Sequence, residues 1–296
     1  MKTTRMILSC MLLFLAVTAC KKKTTETVNT QETTQATTVN SEKLQSYKQF
    51  LNKLDTTNLL SASKAGTEFM EQFKDTNVET NDSAYSLFND FHHLLTAPQQ
   101  NRIDKDNEPY MQLFLGKDGK PSQKVKEHYA ELQKSGFFLG TVEGYTYVAA
   151  EPEFQRKYFF DKLSPAMQAY FAQTQKDIKE GTADDGGLLV EPKVLAERLV
   201  FWDNFATQYP NFRWKTLVGY EIQANRGTLL FGMDNTPAFD YETKNLDATY
   251  RTAYRFLIDQ HGTTKIGKLF TEYFDILSKT NMKDSPQAQA YREKYQ

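Results

Sequence analysis

The chain has 296 residues, with 36 basic and 37 acidic side chains, a formal net charge of −1 and four histidines. That balance lacks the basic footprint of a nucleic-acid-binding protein, so no nucleic-acid partner is expected. Aromatic residues make up 13% of the sequence, with 21 Phe and 16 Tyr among them, which calls for a ring-rich core.

Lys2 and Arg5 precede a short apolar run, Met6 to Val17. The run is too short for a bilayer core about 30 Å thick, which needs roughly 20 residues. A basic start, a short apolar segment and small residues before a cut site describe a secretion signal over residues 1–19. The residues at the cut are Val17-Thr18-Ala19-Cys20. This stretch resembles the lipobox of bacterial lipoproteins. The resemblance implies that Cys20 becomes the acylated mature N-terminus and that membrane lipid is a partner. Two acyl chains give stable anchoring, where one is marginal. Lys21 to Lys23 would lie against anionic headgroups, each contributing about 1 kcal/mol.

Removing Lys2 and Arg5 with the signal takes the 36 basic residues to 34 against 37 acidic, a net charge of −3. Cys10 leaves with the signal and Cys20 carries lipid, so no thiol remains for a disulfide, a nucleophile or a thiolate metal ligand. Residues 20–41 form the expected flexible linker. Eight of the 21 residues from Lys21 to Ser41 are threonine, and only Val28, Ala36 and Val39 are apolar. Such a stretch buries too little surface to offset its ordering entropy. Its flexible span is roughly 25 Å.

An N-terminal helical region is expected over 42–136. Ser41 reads as a cap before Tyr47, Phe50, Leu51 and Leu54, which recur at helical spacing. Phe69, Met70 and Phe73 continue the pattern. Asp82 reads as the next cap, ahead of Leu87, Phe88, Phe91, Leu94 and Leu95. Pro98 to Pro109 reads as a polar break, and Ser122 as a cap before Val125, Tyr129 and Leu132.

The remainder, 137–296, reads as a small β-hairpin followed by a repeat-like helical region. In Phe137 to Ala150, two β-prone runs flank Glu143-Gly144. Ser164-Pro165 and Ser285-Pro286 are cap-then-proline starts, and Pro192 opens a helix carrying Leu195, Leu199, Trp202 and Phe205. That helix closes at Tyr209-Pro210-Asn211. This turn matches His261-Gly262-Thr263 at an offset of 52 residues, and Trp214, Leu217 and Val218 match Ile266, Leu269 and Phe270. A loop from Leu229 to Asp247 makes up the difference from the tetratricopeptide period. The helix pairs and the "YP" turn resemble tetratricopeptide-like lipoproteins of the bacterial envelope, which stack helix pairs and bind proteins along a concave face. A plain helical domain with two similar hairpins fits the residues equally. Stretches such as "EGYTYV", "ADDGGLL", "YPNF" and "FGMDNTPAFDYETKNLD" make residues 136–280 similar to secreted bacterial helical proteins of no assigned activity. The expected fold class is therefore mainly α, with helical hairpins and one small β-hairpin.

Few residues invite chemistry. His92-His93 point about 100° apart on a helix and make no i, i+4 metal pair. His128 and Glu131 have the i, i+3 spacing of a metal pair, but no further ligand motif joins them. Asp184 and Asp185 precede Gly186-Gly187, and paired carboxylates can serve glycoside hydrolysis when they flank a bond. Asp234, Asn235 and Asp240 sit in a turn-rich acidic segment that suits a partner contact or a packed turn better than an EF-hand loop. Trp202 and Trp214 suit stacking on a sugar, anchoring of a partner, or plain core packing. No GxSxG, HExxH, P-loop or dinucleotide fingerprint occurs, so no catalytic residue is assigned and no cofactor is expected. The expectation ranks first a lipid-anchored extracytoplasmic scaffold at the cell membrane that binds an envelope protein or wall component. A glycan hydrolase using carboxylates follows, then a solute- or metal-binding lipoprotein.

Overall fold

The computed structural model describes residues 40–295. The expected signal, Cys20 and nearly all of the expected linker therefore lie outside the described residues. The fold is mainly helical, as expected. Helix α1 covers 40–52 and is followed by α2 (Leu60–Gln72), α3 (Val78–Lys105), α4 (Asn107–Met111) and α5 (Gln123–Lys134). Strands β1 (Phe137–Val142) and β2 (Tyr145–Ala150) form the expected hairpin. Helices α6 (Pro152–Phe159) and α7 (Pro165–Glu180) lead to a short hairpin, β3 (Ala183–Asp184) and β4 (Gly187–Leu188). Then come α8 (Pro192–Gln208), α9 (Lys215–Phe231), a further short hairpin of β5 (Gly232–Met233) and β6 (Thr236–Pro237), α10 (Ala248–His261), α11 (Lys265–Ser278) and α12 (Pro286–Arg292).

Local signals set most boundaries. The hydroxyls of Ser122, Ser164 and Ser285 accept the backbone N–H groups of Val125, Met167 and Ala288, closing the first turns of α5, α7 and α12. The β1–β2 pair runs antiparallel from Phe137 opposite Ala150 to Val142 opposite Tyr145. Glu143 and Gly144 both take positive φ (48° and 75°), the primed turn whose twist matches that of the strands.

Four boundaries differ from the sequence reading. Residue 40 is already helical, so Ser41 lies inside α1. Helix α3 starts at Val78, where Asn77 accepts the N–H of Thr80. Asp82 lies inside α3, and its carboxylate accepts the N–H of Ser164 across the fold (2.9 Å). The polar break after Pro98 is helix, because α3 runs through Pro98 to Lys105. Contacts beyond the proline hold it. The Gln100 side-chain amide pairs with the edge of β2, donating to Thr146 O (3.0 Å) and accepting from Val148 N (2.9 Å), and Ile103 is fully buried. Finally, the loop placed at Leu229 begins only at Gly232. Its φ of 74° and ψ of −164° lie in a region open essentially to glycine, and a β-carbon there would sit 2.2 Å from Ala238 N.

Buried side chains gather in two cores. The first joins Tyr47, Phe69, Phe73, Phe88 and Phe159 with Phe137, Leu139 and Val148 of the hairpin. The second joins Leu229, Tyr250, Tyr254, Phe270 and Tyr273. The chain passes between them inside α8, whose Trp202 and Phe205 belong to the first core and whose Leu195 and Leu199 belong to the second. Helix α9 packs on α8, α11 on α10, and α10 against α8. The first helices of the two helical pairs are thus neighbours, as in a stacked array. Position by position the pairs diverge: Leu217 is 46% exposed, whereas Leu269 is 6% exposed.

Candidate binding groove

An aromatic-lined groove of about 370 Å³ lies between α3, α6, α7 and the start of α9. Helical spacing builds its walls. Tyr85 and Asn89 stand one turn apart on α3; Tyr170, Thr174 and Ile178 stand successive turns apart on α7. Trp214 caps the start of α9. Its ring lies 5.7 Å from that of Tyr85 and 5.5 Å from that of Tyr170, both edge to face. The neighbouring residue, Arg213, clasps the opposite wall, donating to Asp82 O (3.0 Å) and to the hydroxyls of Ser83 and Ser86 on α3. Ile178 and Leu217 form an apolar rim, 45% and 46% exposed.

The polar groups of the groove are neutral, apart from Asp90. Tyr85 donates its hydroxyl to Gln155 Oε1 (3.0 Å), and Gln175 donates to Glu153 Oε1 (2.6 Å). Burial holds the Tyr85 phenol well above the usual tyrosine range, and burial followed by the Glu221 charge raises that of Tyr170. Both phenols therefore keep their protons. Among the described residues no Lys, Arg or His lines the groove. Behind it, Arg198 is 2% exposed and ties α7 to α8, with Nε 3.0 Å from Asp177 and Nη2 3.0 Å from Glu180. Burial raises the Asp177 carboxyl despite that guanidinium.

Of the candidate site residues proposed from the sequence, only Trp214 reaches this groove. Trp202 is 1% exposed within the first core, packed edge to face on Tyr170 at 5.6 Å, and offers no ring to a ligand. His128, half of the candidate metal pair, is an interior residue. Tyr110 bonds its Nδ1 (2.6 Å), and its Nε2 meets Gln99 Oε1 (3.2 Å), so both nitrogens are engaged. Glu131 is exposed and lines a separate depression with Arg102 and Lys134. Among the described residues no group of three His, Cys, Asp or Glu is placed to hold a metal.

The acidic segments meet each other. Asn235 donates its backbone N–H to Gly186 O (2.8 Å) and its side chain to Asp185 O, and Leu188 N–H donates to the Thr236 hydroxyl (2.9 Å). The tips of the two short hairpins are therefore stitched together, with Asp184, Asp185 and Asp234 exposed around the junction. Asp240 serves its own turn, accepting from Thr243 N–H and Thr243 Oγ1 (both 2.7 Å), and these bonds hold its carboxyl below the usual range.

Tyr85, Asn89, Gln155 and Gln175 were not selected from sequence. Gln155 and Gln175 are 7% and 8% exposed. Amides on otherwise apolar helical faces were the available signal. Among the described residues no helix is long and apolar enough to cross a membrane. No protein-family profile matches the chain, and no curated protein or solved structure matches it either.

Proposed function

We propose that the protein is a lipid-anchored, extracytoplasmic binding scaffold of the bacterial cell envelope. It is tethered through Cys20 and presents its groove to an envelope protein or a wall component. The lipobox-like Val17-Thr18-Ala19-Cys20 and the threonine-rich stretch after it support the tether. The aromatic groove with its exposed apolar rim is the observation that carries the binding role. Its lining has a single carboxylate, Asp90, so nothing there matches the acid–base pair of a glycan hydrolase.

The test is cross-linking capture from the native membranes, followed by mass spectrometry of the protein and glycan recovered. Wild type is compared with Cys20→Ala and Trp214→Ala. The expected outcome is one specific species recovered with wild type and lost with both variants. Recovery that survives Trp214→Ala would remove the groove from the binding role. Failure to capture anything specific would remove the scaffold reading.

A further inference from the structure

We infer that the groove takes a neutral sugar ring, an assignment that rests on the binding role proposed for it. Three observations select this ligand class. With no cationic side chain in its lining, the groove has nothing to complement a phosphate, sulfate or carboxylate. Its aromatic surfaces, Tyr170 and Trp214, are partly exposed and suit the apolar C–H face of a pyranose. Its remaining polar groups are amides, and an amide both donates and accepts, as a sugar hydroxyl does.

The amides also have unused capacity. Gln155 is more than nine-tenths buried and lines the groove; its Oε1 takes the Tyr85 hydroxyl, while its amide nitrogen has no protein partner among the described residues. Gln175 is likewise more than nine-tenths buried. Its nitrogen is committed to Glu153 and its carbonyl oxygen is unclaimed. Asn89 also lines the groove and makes no side-chain hydrogen bond among the described residues. One donor and one acceptor on buried amides, with a third amide at the mouth, face a cavity whose 370 Å³ lies at the small end of the small-molecule range. An apolar peptide side chain would leave those amides unsatisfied. A quaternary ammonium would use the rings and Asp90, and would also leave them unsatisfied.

The chain contains two tryptophans, and only Trp214 lines the groove, so its emission reports occupancy. The full chain is titrated with methyl β-glucopyranoside, N-acetylglucosamine and, separately, tetramethylammonium. The expected result is a saturable change with at least one sugar and none with the ammonium ion. In Trp214→Ala, followed by calorimetric titration because the fluorescent reporter is gone, binding is lost. Gln155→Leu weakens sugar binding by about tenfold or more, the loss expected of one buried hydrogen bond; because it also removes the acceptor of the buried Tyr85 hydroxyl, its midpoint falls and the titration is run well below it. Should Gln155→Leu not fold, Asn89→Ala serves in its place. Saturation by tetramethylammonium instead, or a flat response to both sugars, overturns the assignment. A flat titration combined with groove-dependent capture from membranes would remove the sugar and leave the scaffold. Saturable sugar binding combined with no specific capture from membranes would do the reverse.

Discussion

His92 and His128 are both 2% exposed, and both are held neutral. His92 stacks on Phe137 with ring centres 4.1 Å apart and planes 8° from parallel, and donates Nε2–H to Ser135 O (3.3 Å). Burial lowers its pKa to about 4, against the opposing Ser135 bond. Burial, then the charges of Arg102 and Lys124, lowers His128 to about 4 as well. In the unfolded chain each returns to about 6.5. Between those values the unfolded state binds more protons, so stability is full above about pH 6.5 and is lost as pH falls toward 4. The slope is about 1.4 kcal/mol per pH unit for each histidine. Urea denaturation at about pH 7 and about pH 5 should show a loss of about 2 kcal/mol per histidine. His92→Phe should remove roughly half of it, and an unchanged acid loss in that variant would show that His92 is not charging on unfolding.

Pro98 is the sharpest conflict between an element and its residues. A proline inside a helix forfeits one backbone hydrogen bond and crowds the preceding turn, at about 3 kcal/mol. Helix α3 continues past it because Gln99, Gln100 and Ile103 find partners on α5 and β2 only when the helix does continue. Pro98→Ala should raise stability by roughly 1–3 kcal/mol, read from the thermal midpoint. No gain would mean that the hairpin contacts depend on the bend the proline gives. The same conflict explains what was legible in the sequence. Helix starts at Ser122, Ser164 and Ser285 and the turn at Glu143-Gly144 are local signals, and each one was found. The continuation through Pro98 is a tertiary effect and left no local mark. The groove was invisible for a related reason: its two walls, at Tyr85 and Trp214, come from segments far apart in sequence. Each wall taken alone reads as an ordinary amphipathic face.

At the scale of the molecule, α8 decides how the fold comes apart. Its Trp202 and Phe205 are buried in one core, and its Leu195 and Leu199 in the other. Neither core can open without uncovering one face of this helix. Calorimetry should therefore record one unfolding transition. Leu199→Ala and Trp202→Ala should each lower that transition as a whole, by about 2–5 kcal/mol. A scan that splits into two peaks, one shifted by each substitution, would show that the cores unfold separately.

The clasp made by Arg213 has an electrostatic consequence for the same groove. A guanidinium usually meets a carboxylate, and such a pair at the surface weakens as salt screens it. Arg213 instead meets one carbonyl and two hydroxyl oxygens, none of which titrates. The separation of the groove's walls at this end is thereby freed from any carboxylate's proton and is only weakly sensitive to ionic strength. In the extracytoplasmic setting proposed above, the geometry offered to a ligand at this end would stay constant while the acidity and salt of the medium change.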